Sequence, residues 1–110
     1  MNKIIIEALE RAKEIINNPK NWTKGAVAKN KNNQPVIETS PKACKFSLNG
    51  ALHRAIYEMI KEQKYEIETL RQINNNILMK DKHVELNENP ETTHEDILQL
   101  LDNTIKLFSE

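Results

Sequence analysis

Cysteine, glycine and aromatic side chains are scarce in this chain of 110 residues, and net charge is absent: one Cys, two Gly, one Trp, two Tyr, two Phe. A single cysteine, Cys44, excludes an intramolecular disulfide and fits a reducing compartment. Two glycines, Gly25 and Gly50, argue against a glycine-rich phosphate loop. Sixteen Lys+Arg against sixteen Asp+Glu give a formal net charge of zero, which argues against a strongly basic nucleic-acid protein. The ordinary hydrophobic fraction of 38% argues against disorder throughout. No stretch approaches the ~18–20 apolar residues of a membrane span. The apolar run Ile4–Ile5–Ile6 is broken by Glu7 and Glu10 and is too short for a signal h-region. The histidines His53, His83 and His94 have no metal-ligand spacing among themselves or with Cys44. The expectation is a soluble, cytoplasmic single domain over residues 1–110, without metal or cofactor and without a membrane span. Export by a route that needs no cleaved signal stays open.

What the chain does have is helical periodicity. Ile5, Leu9, Ala12 and Ile16 form an apolar stripe that predicts a helix over 3–17, stopped by Asn17, Asn18 and Pro19. Val27 and Val36–Ile37 flank a polar run rich in asparagine, which tolerates turn conformations. This predicts a short β-hairpin, roughly 25–29 with 35–38. Ser40–Pro41 reads as a helix start, and Leu48, Leu52, Ala55, Ile56, Met59 and Ile60 continue that helix to about residue 63. Gly50 inside it costs about 1 kcal/mol against Ala, so a close backbone approach is expected there, from the hairpin or Trp22. A third helix is expected over about 65–79, then a polar linker over 80–91. Thr92 with Glu95 and Thr93 with Asp96 both resemble capping boxes, opening a last helix over 93–108. The fold class expected is therefore mainly α: four helices, with a short hairpin between the first two. The expected core is Ile5, Leu9, Ile16, Leu48, Leu52, Ile56, Met59, Ile97, Leu101 and Ile105.

Zero net charge conceals a strong asymmetry. Residues 1–64 hold twelve Lys and Arg against six Asp and Glu, and residues 65–110 hold four against ten. Within the first part, Lys20, Lys24, Lys29, Lys31, Lys42 and Lys45 face only Glu38. Within the second, residues 85–102 carry Glu85, Glu88, Glu91, Glu95, Asp96 and Asp102 with no Lys or Arg. Such polarity can steer a charged partner. It also fits two solvated faces, or faces that neutralise each other within the fold.

Three blocks of the sequence carry a resemblance. The first is Asn21–Trp22–Thr23–Lys24–Gly25–Ala26, continuing to Val27–Ala28 and, after the turn, Pro35–Val36. The second runs from Ala43–Cys44–Lys45–Phe46–Ser47 through Leu48–Asn49–Gly50–Ala51 to Ala55. The third is Leu86–Asn87–Glu88–Asn89–Pro90, then Thr93 to Leu98, Leu101–Asp102 and Ile105. In this order they resemble the DUF6197 family of small bacterial and phage proteins of unknown function, over Trp22 to Ile105 except the third expected helix. The family's aromatic–Cys pair before Gly-Ala is Phe46–Ser47 here, and its Asn-Asp is Asn87–Glu88. A thiol chemistry at the family cysteine would therefore be absent. The resemblance implies a fold and brings no activity with it.

Several side chains invite a chemical role, each with a plainer alternative. Cys44, in the first turn of an expected helix and near Lys42 and Lys45, would be an activated thiol, yet no partner base is apparent. His53 reads as a partly buried, satisfied histidine, and His94 as a surface residue. Trp22 and Phe46 among lysines would suit stacking on single-stranded nucleic acid, while Trp22 also fits a hydrophobic plug between helix and hairpin. The function expected is a non-catalytic protein-binding module that regulates or inhibits its partner. Effector enzymes of the ubiquitin-modifying deamidase or transglutaminase kind are one candidate class of partner, and a second copy of the chain is another. The candidate binding residues are Trp22, Lys24, Lys29, Lys31 and His53 on one side, with Glu88, Glu91, Glu95 and Asp96 on the other. The alternative is nucleic-acid binding through Lys20–Lys45, and a weaker one is an enzyme using Cys44 or His53.

Overall fold

Helix α1 spans Asn2–Ile16 and presents Ala8, Leu9, Ala12 and Ile16 to the interior, all essentially inaccessible. That is the stripe expected from the i, i+3, i+4 spacing. In this computed structural model residues 2–61 and 87–109 are described. Asn18 then caps a 3-10 turn, Pro19–Asn21, its side-chain oxygen accepting from the Lys20 N–H at 3.0 Å. The chain runs into three two-residue strands: β1 (Ala28–Lys29), β2 (Pro35–Val36) and β3 (Lys45–Phe46). Helices α2 (Leu48–Lys61) and α3 (His94–Ser109) complete the described elements.

The four-helix expectation is corrected here. The described residues hold three α-helices, and the hairpin is part of a three-stranded antiparallel sheet ordered β2-β1-β3. Ala28 pairs with Val36 on one side and with Phe46 on the other, and Lys29 pairs with Pro35 and Lys45. The helix expected over 65–79 and the extended piece His83–Leu86 lie outside the described residues. The second helix begins at Leu48, not after Ser40. Ser40 does accept from the Lys42 N–H at 3.1 Å, but it closes only a turn. Three interactions hold 38–46 away from helix. Arg54 donates to the carbonyls of Glu38 and Ser40, both at 3.0 Å. Cys44 N–H bonds to Lys29 O at 3.0 Å. Phe46, only 5% exposed, is buried in the core.

Ser47 is the true cap of α2. Its hydroxyl accepts from the Gly50 N–H at 3.0 Å, and its carbonyl accepts from Ala51. This is the N-cap arrangement, in which a side-chain oxygen satisfies a donor that the helix cannot. Gly50 has the close neighbour expected of it. A Cβ there would stand 1.9 Å from Val27 O, and that carbonyl also accepts from Ser47 N at 3.0 Å. The segment entering β1 thus lies directly on the first turn of α2. At α3 the capping box is Thr93 with Asp96, each side chain accepting from the other residue's backbone N–H (3.0 and 3.2 Å). Glu95 and Asp96 in its first turn suit the positive end of the helix.

The core lies where α1 packs on both α2 and α3, with Ala28 and Phe46 closing it from the sheet. Leu9, Ile16, Leu48, Leu52, Ile56, Met59, Ile97 and Leu101 are buried as expected; Ile105 is partly buried against them. The side chain of Ile5 lies outside the described set. Ala8 and Ala12 on α1 and Ala51 and Ala55 on α2 are fully buried; small side chains at a helix contact shorten the interaxial distance. At the rim, Arg11 bridges to Glu58 at 2.7 Å and Glu14 at 3.0 Å, and Lys13 bridges to Asp102 at 2.5 Å. Hydrogen bonds to Glu58 first, and then Glu14, raise the Arg11 pKa above its usual value. Among the described residues no helix is long and apolar enough to cross a membrane.

Candidate functional site

Three segments distant in sequence meet at one place: 22–27 before β1, 47–50 at the start of α2, and 87–92 before α3. Asn87 joins them. It is 2% exposed. Its amide oxygen accepts from Trp22 Nε1 at 2.7 Å and from the Leu48 N–H at 3.0 Å, and its amide nitrogen donates to Thr23 O at 3.2 Å. A buried polar side chain is tolerated only when so partnered. Around it, Lys24 Nζ donates to the carbonyls of Asn89 (2.6 Å) and Thr92 (2.9 Å). Both carboxylate oxygens of Glu88 accept from the Gly25 N–H, at 2.7 and 2.9 Å. Gly25 has φ +84°, a conformation that side chains rarely adopt.

Beside this junction opens a cleft of about 220 Å³ lined by Gly25, Ala26, Val27, Ser47, Asn49, Asn87 and Glu88. Asn49 has a buried amide oxygen with no hydrogen-bond partner. A second, more open depression between α1 and α3 is lined by Glu10, Lys13, Glu14, Asn17, Asp102 and Ile105; its Lys13 and Asp102 already pair with each other.

The expected binding residues divide into two groups. Trp22, Lys24, Glu88 and Asp96 are engaged in holding the chain together. Trp22 is half-buried against the core, beside the His94 ring (centroids 5.9 Å apart) and under Lys24 Nζ (5.4 Å). This is the plug arrangement, not an open stacking platform, and Phe46 is buried as well. His53, on α2, has Nδ1 3.9 Å from Glu38 Oε1. His94 departs from its expectation as a surface residue: its Nε2 lies 2.5 Å from Ile16 O, the carbonyl at the end of α1. With the proton on Nε2 it donates to that otherwise unpaired acceptor.

The remaining expected residues, Lys29, Lys31, Glu91 and Glu95, are not engaged in that way, and Lys42 and Lys45 stand in the same basic segment. Lys31 and Lys42 are exposed, and Lys29 and Lys45 are half-buried neighbours across β1 and β3. Lys45 Nζ donates to the Asn33 amide oxygen. Among the described residues the ion pairs are Arg11–Glu14, Arg11–Glu58, Lys13–Asp102, His53–Glu38 and Arg54–Glu58, so no carboxylate pairs with these four lysines. Near them Val27 and Ile37 remain 42% and 66% exposed. Glu91 and Glu95 are exposed on the acidic side. Cys44 is exposed and free, and it precedes β3 rather than opening a helix, which removes the helix-dipole basis for its activation. Among the described residues no three of His, Cys, Asp and Glu gather as a metal site.

Sequence reasoning missed Asn87, Ser47 and Asn49 as parts of one site. All three stand in the blocks that carry the family resemblance, which is the signal that could have found them.

Comparison with known protein families gives one match. Residues 2–107 fit the family described as "Family of unknown function (DUF6197)", and the chain belongs to that family. No curated protein and no solved structure matches it.

Proposed function

Starting from membership of a family without an assigned activity, we propose that this chain is a non-catalytic module that binds a partner protein through its lysine-bearing sheet. The observation that carries the reading is that, among the described residues, no carboxylate pairs with Lys29, Lys31, Lys42 or Lys45, while Val27 and Ile37 are exposed. Apolar contact area rimmed by charge is the composition of a protein docking surface, and the charge would set on-rate and orientation. The partner would present an acidic face and be regulated by having it covered. Nucleic acid is the less favoured occupant because both nearby aromatics are committed: Trp22 to Asn87, Phe46 to the core. Stacking on single strands needs free aromatic faces. A second copy of the chain would also supply an acidic face, through Glu91 and Glu95, and twofold symmetry would form the contact twice.

The test is capture with the tagged full chain from its native cell lysate at moderate salt, read by quantitative mass spectrometry. It is run beside the exposed-site double variant Lys31→Glu, Lys42→Glu. The expected result is one stoichiometric protein, or a second copy of the chain, lost with the variant. Nucleic acid in its place, or no partner that depends on these lysines, sinks the reading.

A further inference from the structure

We propose that the cleft between Gly25 and Glu88 is an anchor pocket for a lysine or arginine side chain of the partner. The assignment rests on the partner-binding reading for the source of that side chain, and on the cleft itself for its chemistry. The volume, about 220 Å³, is below the ~300–1,000 Å³ of pockets for drug-sized ligands. It has the scale of one long side chain rather than a cofactor. The walls contributed by Ala26 and Val27 suit a methylene stem, as lysine and arginine stems pack on apolar surface while the charged head seeks polar partners.

The polar groups at the cleft select the charge of the head. Glu88 supplies two carboxylate oxygens that share a single hydrogen, the Gly25 N–H. That hydrogen sits between them and leaves their outer lone pairs open. An ionised carboxylate has about four acceptor sites, so most of its capacity remains. Among the described residues Glu88 has no ion pair. Lys24, its sequence neighbour in space, is turned to the carbonyls of Asn89 and Thr92. The nearby Lys29 Nζ stands 4.0 Å from where a Gly25 Cβ would be and is not bonded to the carboxylate. The Asn49 amide oxygen is buried, so the Glu88 carboxylate is the acceptor a ligand in the cleft would meet. The remaining lining polar atoms, Ser47 Oγ and the Asn87 amide oxygen, already accept from Gly50 and from Trp22 and Leu48. The charged capacity left open at the cleft is therefore the anionic acceptor of Glu88. A group with several N–H donors and a positive charge satisfies it, and charge-assisted bonds of this type are the stronger ones.

The experiment is a 1H–15N NMR titration of the full chain with n-butylguanidinium and n-butylammonium, with n-butylurea as the neutral control. A capped Ala-Arg-Ala tripeptide is the fourth arm. The expected result is saturable, millimolar binding of the cations that shifts the Gly25 amide and the Asn49 side-chain amide. Glu88→Gln, which keeps an acceptor for Gly25, should weaken it by about tenfold. The tripeptide should bind at least as tightly as n-butylguanidinium. Equal binding of n-butylurea, or no localised shift, overturns the pocket's chemistry and leaves the lysine face standing. Cation binding that the peptide backbone abolishes overturns its assignment to a partner's side chain. Because no partner is present in the titration, a failed lysate capture beside saturable cation binding strikes the partner reading and not the pocket chemistry.

Discussion

The contact of α1 with α2 and α3 and the junction around Asn87 are both buried, yet they are held by different means. Between the helices the buried side chains are Ala, Leu, Ile and Met, each touching several others. Such packing is non-directional, and losing one side chain leaves the neighbours apolar and satisfied. At the junction a few directional bonds place three chain segments: Asn87 to Trp22, Thr23 and Leu48, Glu88 to Gly25, Lys24 to Asn89 and Thr92. The helices supply most of the burial. The junction fixes the cleft, and it has little redundancy.

Four substitutions probe that difference. The largest effect is expected from Gly50→Ala, because the new methyl would meet the backbone carbonyl of Val27 and not a yielding side chain. Separating the two segments breaks the Val27–Ser47 bond, and the loss should reach about 3 kcal/mol or more in chemical denaturation. A gain of stability, as an unobstructed helical Gly→Ala change gives, would show that the segments are not in contact. Asn87→Ala comes next at about 2 kcal/mol, since it strands the Trp22 and Leu48 donors. Denaturation followed by Trp22 fluorescence measures it, and a neutral result would mean that the junction adds nothing to the helical core. Ser47→Ala follows at about 1 kcal/mol for a lost helix cap. Ser40→Ala should cost less, which separates the true start of α2 from the one that the sequence suggests.

The same contrast explains what was legible in the sequence. Leu9, Ile16, Leu52, Ile97 and Leu101 announce themselves by spacing, because helix burial repeats every three to four residues. The start of α2 was misplaced because Ser40–Pro41 carries the local signal of a helix start. Ser47 carries one too, and tertiary contacts decide between them. Strand β3 has two residues, too few for any alternation to show. Asn87 stands in a polar stretch that reads as linker, and only its partners reveal its role; the family blocks had marked its place without giving a reason. The lysine-rich segment was legible as composition, but that its charge meets no carboxylate among the described residues is a fact of three dimensions.

Amide hydrogen exchange on wild type and Asn87→Ala, resolved by residue, tests most directly whether Asn87 builds the cleft. Exchange through local opening can be told from global unfolding by comparing sites within one protein. The prediction is that Leu48, Gly25 and the Trp22 indole lose more protection than Ala12 and Ala55 in the helical core. Equal loss at all of them, or unchanged protection at Gly25 and Leu48, would contradict it.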